Sequence, residues 1–234
     1  MAVRNVFASI DVSGFINDYR AQLINYYDGV DVTSKYMSEE LEAVLIRIKK
    51  GELAPKKFGY YDTSVLPNYT RLVSSKDSTI GYKVYREDYE WIDKDAGELQ
   101  LNNIYNLMLS AENGDKIIWW GHSIKPNSHI QAVISSVDKP GSSTMPPNEF
   151  RNLERKNVQF YYASGAVDPT KLVAGVEVST QQAYCLQCCL EGTPGTTVSY
   201  DIALMLLSTS FNYEGSLISV PIAELVVDPI IKIQ

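Results

Sequence analysis

The feature that most constrains the fold is residues 111–124, AENGDKIIWWGHSI, where a polar turn leads directly into strand-forming side chains. The turn is Asn113-Gly114-Asp115, in which Gly114 can adopt a positive φ at little cost. The next residues, 117–120, are β-branched or aromatic and favour a strand. The segment therefore predicts a β-arch in a β-rich domain.

Two adjacent tryptophans, Trp119 and Trp120, lie at the centre of this predicted strand. Neighbouring residues of a strand point to opposite faces of the sheet. We therefore expect one indole ring to fill the core. The other should lie under a neighbouring strand or at the surface.

The second half of the chain consists almost wholly of predicted strands separated by turn signals such as Lys139-Pro140-Gly141. Short strands spaced this regularly favour a mainly β fold, an antiparallel two-sheet β-sandwich of jelly-roll type. We expect one domain over residues 1–234, a length that such sandwiches reach. The predicted strands are residues 81–92, 99–109, 116–121, 129–137, 157–163, 172–179, 183–190, 197–207 and 216–233.

One or two short helices are predicted near the N-terminus. Residues 38–50 carry apolar side chains at i, i+3, i+4 and i+7, with Ser38 as N-cap and Gly51 as terminator. Residues 17–27 show a weaker helical pattern. The region of about residues 30–80, which holds the clearer helix and a loop-like stretch, is predicted to be inserted into the sandwich.

Composition narrows the choice of partners. The net charge of −7 argues against nucleic acid, because phosphate binding needs clustered lysine and arginine. With a pI near 4.9 the chain should lose charge repulsion on mild acidification and associate more readily. Neither a secretory signal nor an apolar run long enough to cross a membrane is visible, so we expect a cytoplasmic protein without a membrane partner.

Three segments resemble the AidA/PixA family of bacterial inclusion-body proteins. They are an opening strand ending in Ile-Asp, residues 6–11 (VFASID), the central segment 111–124, and a last strand with Asp-Pro, residues 228–233 (DPIIKI). The resemblance implies a non-enzymatic, self-assembling protein that forms homo-oligomers or a lattice in cytoplasmic inclusion bodies.

The candidate metal and redox residues have simpler structural interpretations. His122 and His129 are the two histidines, and a metal site needs further ligands at a fixed spacing that is not visible. Cys185 and Cys188 form a C-x-x-C, but in a strand-like run, where buried packing is the better interpretation than redox chemistry. We predict no catalytic residues, no metal and no cofactor.

The alternative function is that of a carbohydrate-binding, lectin-like module. Carboxylates and aromatic rings crowd residues 82–98, and such a combination can hold a sugar, although a solvated edge strand explains it better. A sugar is therefore a possible partner beside a second copy of the chain. The candidate ligand-binding residues are Tyr85, Asp88, Tyr89, Trp91, Trp120 and His122.

Overall fold

A computed structural model describes residues 1–58, 69–85, 91–95, 106–124, 129–142, 144–164 and 177–234. Within the strands, residues 81–85, 91–95, 106, 159–164 and 177–182 are described by their backbone. The strands, numbered in chain order, are β1 Val3–Ile10, β2 Lys56–Phe58, β3 Thr70–Val73, β4 Thr79–Tyr85, β5 Trp91–Asp95, β6 Asn106–Ala111, β7 Lys116–Ser123, β8 Gln131–Asp138, β9 Phe150–Ser164, β10 Glu177–Leu190, β11 Thr197–Ser199, β12 Asp201–Leu207, β13 Phe211–Tyr213, β14 Ser216–Ile218, β15 Pro221–Val227 and β16 Ile230–Ile233.

Two helices precede most of the strands. Helix α1 spans Val12–Tyr26 and helix α2 spans Glu39–Lys49. The Ser38 side chain accepts a hydrogen bond from the backbone N–H of Leu41, which satisfies a free donor of the first turn. The apolar side of α2 is buried, as its periodicity predicts. The prediction for α2 is therefore confirmed, whereas α1 begins five residues earlier than its pattern suggested.

The strands form three sheets and a separate hairpin. The first sheet has the order β3-β1-β7-β10-β9, the second β2-β15-β12-β8, and the third β11-β16-β6-β4-β5. Strands β13 and β14 pair only with each other among the described residues. The mainly β fold is therefore confirmed.

The purely antiparallel, two-sheet arrangement is corrected, because each of the three sheets is mixed. Strand β1 pairs parallel with β7, β15 with β2, and β16 with β6. Each parallel pair joins segments that lie far apart in the chain. Alternation of apolar and polar residues identifies a strand but does not specify the direction of its neighbour. The single domain and the inserted region at about residues 30–80 stay predictions.

Strand β7 of the first sheet and strand β8 of the second sheet approach each other closely. A Cβ atom placed on Gly121 would lie 2.6 Å from the backbone nitrogen of Ile134, so only glycine permits this approach. Beside this contact, Trp119 is fully buried against Phe150 and Tyr200, and its Nε1 donates a hydrogen bond to the Tyr200 hydroxyl at 3.2 Å. The ring of Trp119 therefore lies in the centre of the core.

The tryptophan pair should have unequal effects on stability. We expect Trp119→Ala to cost about 3–5 kcal/mol, because it empties a large, fully buried site. Trp120→Ala should cost much less, since its ring is partly exposed. Urea denaturation measures both values. Equal and small losses would show that β7 does not cross the core.

Strand β1 is tied to the turn before β7 by a buried carboxylate. Asp115 is 1% exposed and accepts hydrogen bonds from the backbone N–H of Ala2 at 2.6 Å and from Arg4 Nε at 2.9 Å. It also accepts from the backbone N–H of Glu112, within its own turn. Burial opposes ionisation, but these donors outweigh it and lower the pKa of Asp115.

Because its folded pKa is lowered, Asp115 should stabilise the fold above its unfolded pKa of about 4. That contribution should disappear as the pH falls through the lower, folded value. We expect Asp115→Asn to cost about 1.5–3 kcal/mol at pH 7, the range for hydrogen bonds to a charged group. Denaturation of both proteins at pH 7 and pH 3 should show the difference shrinking in acid. Asp77→Asn, at an exposed position, is the matched control.

Candidate binding site

The site lies on the outer face of the first sheet, the side turned away from the core. In β1, Val6, Ala8 and Ile10 are buried, so the alternate residues point outwards. Side chains directly opposite each other on paired strands share a face. We use the term outer face for the described outward side chains of the first sheet, which include Val3, Asn5, Phe7, Ser9, Arg71, Val73, Lys116, Ile118, Trp120, His122, Cys185, Gln187, Glu154 and Lys156.

An apolar band crosses the outer face in register. Val73 lies opposite Phe7, and Phe7 lies opposite Trp120 on β7. The rings of Phe7 and Trp120 are stacked, with centroids 6.3 Å apart and planes 15° from parallel. Phe7 and Val73 are 38% and 41% exposed, and Trp120 is partly exposed.

Polar side chains flank the aromatic pair. Trp120 Nε1 donates to the Asn5 side-chain oxygen at 3.0 Å, which restricts the rotation of the indole ring. Ser9 Oγ lies 3.2 Å from His122 Nε2. Loss of surrounding water lowers the pKa of His122 below its ordinary value, although the side chain keeps contact with solvent.

The Ser9 and His122 pair is half of the arrangement that activates a nucleophilic serine. Such chemistry also requires a group that orients the imidazole. Among the described residues, the ring of His122 makes one hydrogen bond, to Ser9. This geometry favours a surface hydrogen bond over a catalytic one.

The outer face is basic although the chain is acidic. Lys116 and Lys156 lie on it with Arg71, and the described part of the face includes one carboxylate, that of Glu154. Glu154 accepts a hydrogen bond from the Gln187 amide and is 3.1 Å from Lys156 Nζ. The hydrogen bond from Gln187 is the larger cause of a lowered pKa of Glu154, and the contact with Lys156 is the second cause. A positively charged apolar face therefore exists on a chain whose net charge is −7.

The cysteines divide between the two faces of β10. Cys185 lies opposite Trp120 on the outer face, and Cys189 lies on that face too, while Cys188 points into the core. Burial raises the pKa of Cys188 to about 12, so it stays a protonated thiol. All three are free thiols. The prediction of buried packing is confirmed for Cys185 and Cys188, which are 1% and 3% exposed, whereas Cys189 is partly exposed.

The six predicted ligand-binding residues fall into three pairs. Trp120 and His122 lie together on the outer face. Tyr85 and Trp91 are cross-strand partners of β4 and β5 in the third sheet, where only their backbone is described. The remaining two, Asp88 and Tyr89, lie outside the described residues. The structure thus brings Trp120 and His122 together, and places Tyr85 and Trp91 in a different sheet.

Sequence reasoning missed Phe7, Asn5 and Val73. The alternation in β1 carries a signal, because Phe7 has the same parity as Asn5 and the opposite parity to the buried Val6. The pairing of Phe7 with Trp120, in contrast, has no local signal in the sequence. Trp120 pairs with Phe7 in parallel from more than a hundred residues away, and no local pattern records such a pairing.

The described part of the chain shows neither a metal-binding cluster nor a membrane-spanning helix. No group of three or more histidine, cysteine, aspartate or glutamate side chains there is arranged to hold a metal ion. No helix in the described ranges is both long and apolar enough to span a membrane.

Comparisons with known proteins give distant similarities. No family model matches the chain. It is 24% identical over 117 residues to the uncharacterized gene 11 protein of Saimiriine herpesvirus 2 (strain 11), which is 46% of this chain and 28% of that protein's length. A solved structure of an inclusion body protein (PixA) from Burkholderia cenocepacia J2315 is similar over 97% of this chain and 94% of its own, with 12% identity and a TM-score of 0.46. The functional argument therefore rests on the residues of this chain.

Proposed function

We propose that this chain is a non-enzymatic, self-assembling protein that accumulates as cytoplasmic inclusions and uses the outer face as an assembly contact. The observation that carries the proposal is the apolar band across three adjacent strands, in which Val73 and Phe7 are exposed and Trp120 is partly exposed. Contiguous apolar patches with polar rims mark interaction sites on soluble proteins.

A second copy of the chain is the occupant that the charges favour. The outer face carries Arg71, Lys116 and Lys156, whereas the chain as a whole has a net charge of −7. The remaining surface of another copy is therefore oppositely charged on average, and such complementarity steers association. Nucleic acid is disfavoured by the same overall charge, which would repel phosphates.

The aromatic pair supplies the contact area. Phe7 and Trp120 are rigid rings with few rotatable bonds, so burying them in an interface costs little conformational entropy. The hydrogen bond from Trp120 to Asn5 fixes the indole before any partner arrives. Preorganisation of this kind increases affinity because less freedom is lost on binding.

Removal of the aromatic pair should abolish association. We expect the wild type to sediment faster as its concentration rises, and Phe7→Thr with Trp120→Thr to remain monomeric. Threonine suits an exposed strand position, so the double variant should fold, which its circular dichroism and thermal midpoint will verify. Met145→Thr, which removes a 58% exposed side chain from the loop between β8 and β9, is the matched control and should associate normally.

Two results would contradict the proposal. One is a wild type that stays monomeric at every concentration and forms no inclusions in expressing cells. The other is a folded double variant that associates as the wild type does, because assembly would then use a different surface.

A carbohydrate-binding function is the second candidate, favoured by the polar side chains beside the aromatic pair. Asn5, Ser9 and His122 offer hydrogen-bond partners next to rings on which a sugar can stack. A glycan array with wild type and Trp120→Thr is the test. Sugar binding predicts a signal that the variant loses and that Met145→Thr keeps, whereas an array without signal rules this candidate out.

A further inference from the structure

An acidic knob projects from the loop before α2. We use this name for Tyr36, Met37, Glu39 and Glu40, all of which are exposed. Tyr36 is 72% exposed and Met37 is 40% exposed, an unusual display for two large apolar side chains. The two glutamates follow directly in the first turn of the helix.

The backbone under the acidic knob is held in one conformation. Ser34 Oγ accepts a hydrogen bond from the N–H of Tyr36 at 3.0 Å and donates one to its carbonyl oxygen at 2.9 Å. The ammonium group of Lys35 lies 4.7 Å from the centre of the Tyr36 ring. Ser38 then caps α2. These contacts keep Tyr36 and Met37 at the surface in a fixed arrangement.

The acidic knob and the outer face belong to different layers of the molecule. Thr33 is bound through its carbonyl to His129, just before β8, and Ser34 is bound to Thr209, just after β12. Strands β8 and β12 belong to the second sheet, which packs on the inner side of the first sheet at Gly121. The acidic knob is thus attached to the second sheet, on the inner side of the first sheet.

The two surfaces are complementary in polarity and in charge. The outer face offers an apolar band with three basic residues and one carboxylate, that of Glu154, around it. The knob offers two apolar side chains with two glutamates on one side and Lys35 on the other. Pairing Tyr36 with Trp120 would bring aromatic rings together at the centre of a contact, where aromatic residues contribute most. It would also place Glu39 and Glu40 near the lysines Lys116 and Lys156, which favours one orientation over others.

We infer that the acidic knob of one copy docks on the outer face of the next, so that assembly proceeds head to tail. The inference rests on the proposed self-assembly and specifies its partner surfaces. A contact between two different surfaces leaves one of each free at the ends of a dimer. Further copies add there, and the product is a ring or an open chain of copies, as an inclusion lattice requires.

A mixing experiment tests the head-to-tail contact. The face variant carries Phe7→Thr with Trp120→Thr, and the knob variant carries Tyr36→Ser with Met37→Ser. Each variant keeps one intact surface, so each should be monomeric alone in sedimentation velocity runs. An equimolar mixture should form a one-to-one heterodimer that does not grow, because its remaining surfaces are both mutated.

Three other outcomes of this experiment would contradict the head-to-tail contact. If the wild type associates and the knob variant associates equally well, the contact does not use the knob, and the inference fails while the proposed self-assembly stands. If both variants are folded monomers but their mixture contains no heterodimer, the two surfaces do not meet and the inference also fails. A monomeric wild type would overturn both.

Charge reversal tests the orientation of the contact. Glu39→Lys with Glu40→Lys should weaken association at least about tenfold, because like charges would then face each other. Adding Lys116→Glu and Lys156→Glu to the same chain should restore it, since opposite charges face each other again. A quadruple variant that is folded but no stronger than the knob reversal would show that these charges are not opposed.

Discussion

The structure depends on the position of β1, which runs parallel to β7 in the interior of the first sheet. The buried carboxylate of Asp115 holds this arrangement, because it binds the N–H of Ala2 and the guanidinium of Arg4 at the point where the two strands begin together. From there the register runs to the pair of Ile10 and Ser123. Strand β1 therefore contributes side chains to two surfaces, the buried core and the apolar band of the outer face.

This position of β1 also explains why the outer face is rigid. Phe7 is flanked by hydrogen-bonded strands on both sides, so its side chain rises from a backbone that cannot adjust independently of β3 and β7. Beneath it, Trp119 and Gly121 lock β7 against the second sheet and the core. A surface fixed from below in this way keeps its shape when it meets a partner, and the acidic knob, held by Ser34 and Ser38, is similarly fixed.

Local signals in the sequence predicted the elements well and their assembly poorly. The helix α2 could be recognised from its Ser38 cap and its apolar spacing, because both act within a few residues. The opposite orientations of Trp119 and Trp120 followed from strand geometry alone. The parallel pairings could not be predicted, since they join segments as distant as β1 and β7. For the same reason Trp120 was recognised as a candidate contact residue while Phe7, its stacking partner, was not.

The central claim, that copies of the chain meet through the outer face and the acidic knob, is tested most directly by hydroxyl-radical footprinting of dilute and concentrated wild-type protein. The account predicts that Phe7, Trp120, Tyr36 and Met37 lose reactivity together as concentration rises, while Met145 keeps its own. If these surfaces stayed in solvent, Phe7, Trp120, Tyr36 and Met37 would each be equally reactive at both concentrations. That result would contradict the account.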